Sequence, residues 1–79
     1  MNVEVRLYAG LCDAPGRSSG DAFSVPLAEG ATLFDLFSRL GIQQDLVHLT
    51  IVNGRILYDR ATRLSDGDRV ALFPPVGGG

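Results

Sequence analysis

TLFDLFSRLG, residues 32–41, is the stretch on which the reading of the fold turns. Leu33, Leu36, Phe37 and Leu40 recur at the i, i+3, i+4, i+7 spacing that lines one side of a helix. Thr32 stands where an N-cap belongs, and Asp35 follows three residues later, close to a capping box and favourable to the helix dipole. Gly41 supplies the usual stop. Phe34 falls off the stripe and is expected to be partly exposed. A helix with one apolar stripe must bury it against another element, so the flanking segments decide what that element is.

Both flanks read as strands. Before the helix, NVEVRLYA (2–9) puts Val3, Val5 and Leu7 on one face and Glu4, Arg6 and Tyr8 on the other. DAPGRSSGD (13–21) is crowded with loop-forming residues. AFSVPLAEG (22–30) alternates again through Phe23, Val25 and Leu27, with Pro26 marking an edge strand or a bend. After the helix and a short connection, HLTIVNGRILYD (48–59) gives a strand, an Asn53-Gly54 turn and a second short strand. LSDGDRVALF (64–73) holds a turn at Asp66-Gly67 and a last strand, with Val70 and Leu72 inward and Ala71 and Phe73 outward. The helix between strands permits a crossover that sets the first and last strands side by side and parallel. The expected fold is α+β: a mixed sheet of four to five strands on one main helix, the pattern of a ubiquitin-like β-grasp. The expected organisation is a domain over 1–75 and a flexible glycine tail over 76–79.

Composition narrows the function classes. Seventy-nine residues leave room for one core and no deep cleft, which argues against a self-contained enzyme. The net charge is −2 and all seven basic residues are scattered arginines, so the basic footprint of a nucleic-acid binder is missing. No apolar run is long enough for a membrane span, and the N-terminus carries no signal pattern. A single cysteine fits a reducing compartment. The expectation is a small, acidic, soluble, cytoplasmic domain that touches neither nucleic acid nor membrane.

Side-chain chemistry is thin. Cys12 has no second cysteine near it and reads as a buried or incidental thiol. His48 is the only histidine and lacks the partners a zinc site needs, so no metal is expected. Asp66 and Asp68 flank a turn glycine, where aspartate bonds the local backbone. What remains is the ending, ALFPPVGGG (71–79). A frayed tail is the plain reading of terminal glycines. Pro74 and Pro75 speak against it: they remove two donors, fix two φ angles and send the chain away from the sheet. Beyond them Val76, Gly77, Gly78 and Gly79 reach about 14 Å at ~3.3–3.6 Å per residue, slim enough to thread a narrow channel and present a carboxylate. Ordering such a tail costs about 1–2 kcal/mol per residue, which a docking surface must offset. Tyr8 and Phe73, expected on the face away from the helix with Pro75 and Val76 beyond, are the candidate surface.

LSDGDRVALFPPVGGG resembles the C-terminus of the MoaD/ThiS family of ubiquitin-like sulfur carriers, most closely the small subunit of molybdopterin synthase. The D-G-D turn, the last strand, the F-P-P-V corner and the terminal Gly-Gly carry the likeness. VEVRLYAGLCDAPG (3–16) and the VNG turn (52–54) look similar too. The resemblance implies a carrier that is not itself an enzyme. An E1-like adenylating enzyme would use ATP to activate the Gly79 carboxylate, and a sulfur donor protein would convert it to a thiocarboxylate. A large synthase subunit would then take the Val76–Gly77–Gly78 tail into its active site, with Tyr8, Phe73, Pro74 and Pro75 at the partner surface. No bound cofactor is implied. Other sulfur acceptors (thiamin thiazole, cysteine, tRNA), a ubiquitin-like modifier and a plain interaction domain stay open; the lack of lysine rules out lysine-linked polymers of the chain itself.

Overall fold

The computed structural model describes residues 1–8 and 20–75; Cys12 and the tail residues 76–79 lie outside the described residues. Among the described residues, five strands and one helix follow in the expected order: β1 (Asn2–Leu7), β2 (Ala22–Pro26), α1 (Leu33–Leu40), β3 (Leu49–Val52), β4 (Arg55–Ile56) and β5 (Arg69–Phe73). A 3₁₀ turn at Gln44–Leu46 fills the connection after the helix.

The caps of α1 form as its sequence dictates. Asp35 N–H donates to Thr32 Oγ1 at 3.4 Å, and Thr32 N–H donates to Asp35 Oδ2 at 2.8 Å. This reciprocal pair satisfies two orphan donors of the first turn. Gly41 ends the helix with φ 70°. Leu33, Leu36 and Phe37 are buried, Leu40 is half-buried and Phe34 is 40% exposed, as its off-stripe position requires.

The sheet runs β2-β1-β5-β3-β4. The first and last strands pair in parallel, Val5 opposite Val70 and Leu7 opposite Leu72, because the α1 crossover carries the chain over one face. All other pairings are antiparallel. β2 lies at an edge with Pro26 as its last residue, where a missing donor costs least. β3 and β4 are joined by Asn53 and Gly54 with φ of 52° and 82°, the doubly positive turn that matches strand twist. Val3, Val5, Leu7, Val25, Val52, Val70 and Leu72 point from the sheet onto the buried helix residues and form one core with them.

This ubiquitin-like β-grasp arrangement gives β5 a special place. It bonds to β1 on one side and β3 on the other, so the strand that ends at Phe73 is held along both edges.

Candidate functional site

The root of the tail is fixed by backbone first. Tyr8 N–H donates to Leu72 O at 3.2 Å, and His48 N–H donates to Phe73 O at 2.8 Å. The ladder therefore holds β5 to its last residue. Pro74 and Pro75 follow with no N–H to offer, so sheet pairing stops there for a chemical reason. Pro74 is half-buried and Pro75 exposed.

Side chains build on that register. Tyr8 and Phe73 lie on the face away from α1 and stack with ring centroids 4.4 Å apart and planes 8° from parallel. Such a pair contributes about 0.5–1.5 kcal/mol beyond the area it buries. The stack leaves each ring half-buried rather than fully open. Gly20 closes the other approach to Tyr8: its N–H donates to Leu7 O at 2.9 Å, and its φ is +84°. A Cβ at Gly20 would lie 3.3 Å from Tyr8 Cε1, so the bare backbone is what lets the ring sit where it does.

The apolar face extends further than Tyr8 and Phe73. Leu49 pairs opposite Phe73, Ile51 opposite Ala71, and Ile56 opposite Ile51, all on the outward side. These residues were not singled out from the sequence. The signal was available, because Leu49 and Ile51 alternate with the inward Thr50 and Val52, and the Asn53-Gly54 turn fixes that register.

The remaining candidates take structural places. His48 is exposed and serves the site through its backbone N–H. Asp66 Oδ1 accepts from Asn2 N–H at 2.7 Å. Asp68 accepts from Ser65 N–H at 2.8 Å and from the Asn53 side-chain amide at 2.9 Å. Asp68 thus bonds its own turn, as aspartate beside a turn glycine should, whereas Asp66 ties that turn to the start of β1 instead of bonding locally. Among the described residues there is no cluster of three or more metal-ligating side chains, and no helix is long and apolar enough to cross a membrane. Cys12 and the threading residues Val76, Gly77, Gly78 and Gly79 lie outside the described residues.

A five-stranded mixed sheet on one helix, with the C-terminal strand central and an apolar outer face beside its end, defines the class: a ubiquitin-like β-grasp domain. The comparisons with known proteins take this further. The model of the ThiS family matches residues 5–79, nearly the whole chain, and the chain belongs to this family of ubiquitin-like sulfur carriers. Among solved structures it is similar to SAMP1 from Haloferax volcanii, at 25% identity and a TM-score of 0.70 over 100% of both chains. It is similar also to putative molybdopterin converting factor subunit 1 from Pyrococcus furiosus, at 27% identity and a TM-score of 0.73 over 95% of this chain and 98% of that one. A third likeness is to a chain in the complex of subunits 1 and 2 of the Helicobacter pylori molybdopterin-converting factor, at 27% identity and a TM-score of 0.64 over 100% of both. No curated protein sequence matches the chain.

Proposed function

We propose that this chain carries sulfur as a thiocarboxylate on Gly79 and delivers it in the making of molybdopterin, the organic part of the molybdenum and tungsten cofactors. One observation carries the reading: the F-P-P-V-G-G-G ending begins where β5, bonded along both edges, meets the stacked Tyr8–Phe73 pair. The full-length likeness to subunit 1 of molybdopterin-converting factors supports the choice of pathway.

The chemistry follows from the terminal group. A C-terminal carboxyl has a pKa of about 3.3–3.7, so near neutral pH it is an anion and a poor electrophile. An E1-like enzyme would join it to AMP from ATP, releasing pyrophosphate. Hydrosulfide attacking the acyl carbon expels AMP and leaves the thiocarboxylate on Gly79 directly. Where a donor protein's persulfide attacks instead, AMP leaves to give an acyl disulfide, whose S–S bond a thiol reductant then cleaves to free the thiocarboxylate and the donor thiol. Tyr8, Phe73, Pro74 and Pro75 form the docking surface and set the direction of the tail. Val76, Gly77 and Gly78 enter the partner's channel. A large synthase subunit, of the kind that subunit 2 represents in the Helicobacter pylori complex, consumes the sulfur. The carrier catalyses nothing alone.

The test is an assay with a large synthase subunit and the pyranopterin precursor. Thiocarboxylated chain is expected to yield the dithiolene product, and the chain without sulfur none. Failure with that pair would move the sulfur to another acceptor. A second reading, attachment of Gly79 to protein amines, is favoured by the full-length likeness to SAMP1, since a second Haloferax volcanii structure bears the name small archaeal modifier protein 1. It would show as slower-migrating bands on cell proteins that vanish when Gly79 is deleted.

A further inference from the structure

The outer face of the sheet carries a charged depression that the tail chemistry does not use. Arg6, Ala71 and Ile51 stand side by side across β1, β5 and β3, and Glu4 lies beside Arg69 across β1 and β5. Ala71 is the smallest of these side chains. It leaves a hollow of about 110 Å³, with Ile51 and Ala71 as its floor and Glu4, Arg6 and Arg69 around it.

The charges there are unevenly matched. One carboxylate serves two guanidinium groups: Glu4 Oε1 is 3.5 Å from Arg6 Nη2, and Oε2 is 3.6 Å from Arg69 Nε. A close charge-assisted bond measures roughly 2.7–2.9 Å, so both contacts are loose. Arg69 is mostly exposed and Arg6 half so. No other described residue pairs with either guanidinium. Asp68, the chain neighbour of Arg69, is already held by Ser65 and Asn53. A chain of net charge −2 thus places an excess positive charge at the middle of its apolar face.

We infer that the activating enzyme seats a carboxylate side chain in this hollow, bridging Arg6 and Arg69 over Ala71; the inference rests on the sulfur-carrier reading. Guanidinium forks suit a carboxylate in two-pronged contact, and the apolar floor accepts its methylene stem. The bridge sets register on an otherwise apolar face, where hydrophobic contact alone specifies orientation poorly. Glu4 then competes with the incoming carboxylate and keeps the arginines extended before docking.

The experiment measures binding of the full-length chain to its activating enzyme at low and high salt, with intact mass after ATP and sulfide as a parallel readout. Arg6→Ala/Arg69→Ala together are expected to weaken binding by about tenfold at low salt and to flatten its salt dependence. Glu4→Gln is expected to act oppositely, tightening binding about twofold to fivefold by removing the competitor. At saturating enzyme all variants still gain sulfur. Glu4→Gln that leaves binding unchanged or weaker would overturn the inference, since a merely structural ion-pair role moves all variants the same way. So would arginine variants within twofold of the parent, or ATP binding to the isolated carrier through these arginines. A parent chain that gains no sulfur brings down the carrier reading, and this inference with it.

Discussion

Val70 and Leu72 point from β5 into the core, whereas Ala71 and Phe73, one residue further along in each case, point to the open face of the sheet. The backbone is shared and the ladder bonds are shared; only the side of the pleat differs. Val70 and Leu72 are buried with the α1 stripe, and Leu72 is 0% exposed. Ala71 and Phe73 stay half-exposed beside Ile51, Leu49 and Tyr8. Period-two geometry lets one strand hold the fold with one set of side chains and meet a partner with the other. That separation allows a small domain to have both a core and a docking face.

The comparison breaks most clearly at Leu72. Leu72→Ala is expected to cost about 2–5 kcal/mol of stability, read by denaturant unfolding, with the folded fraction still accepting sulfur. Phe73→Ala should divide the other way. It loses the stack, about 0.5–1.5 kcal/mol, together with the apolar area the half-exposed ring still covers, while affinity for the activating enzyme falls at least about tenfold, as for an aromatic anchor. Equal stability losses at both positions, with no binding loss at Phe73, would erase the distinction between the faces.

Gly20→Ala sharpens it, because a Cβ at Gly20 would meet the outer face at the Tyr8 ring. The added methyl presses on Tyr8 Cε1 and the positive φ becomes strained, so about 1–2 kcal/mol of stability is lost. Binding should weaken as the Tyr8 ring shifts from Phe73. Tyrosine chemical shifts report that movement, with the 86%-exposed Tyr58 as an internal control. Thr32→Ala, remote from the face, should cost only about 1 kcal/mol through the lost cap and leave binding unchanged.

Much of this was legible in the sequence because it is local. The α1 caps, the Asn53-Gly54 turn and the Asp66-Gly67 turn are each written within a few residues, and alternation named both faces of β1 and β5. The Tyr8–Phe73 face followed once the crossover made those strands neighbours. What escaped depends on distant groups meeting. The 3₁₀ turn at Gln44–Leu46 is held by Arg60, whose guanidinium donates to Gln44 O and Val47 O and lies 5.5 Å from the Phe37 ring centre. Nothing in residues 42–48 announces that anchor. The Gly20–Tyr8 contact and the Glu4 pairing with Arg69 likewise exist only after register is set.

Intact mass after incubation with the activating enzyme, ATP and sulfide, with the altered residue located by fragmentation, tests the central claim. The account predicts exchange of one oxygen for one sulfur at Gly79, abolished when Gly79 is deleted or the chain is extended beyond it. An unchanged mass, or sulfur found on Cys12 instead, would contradict it.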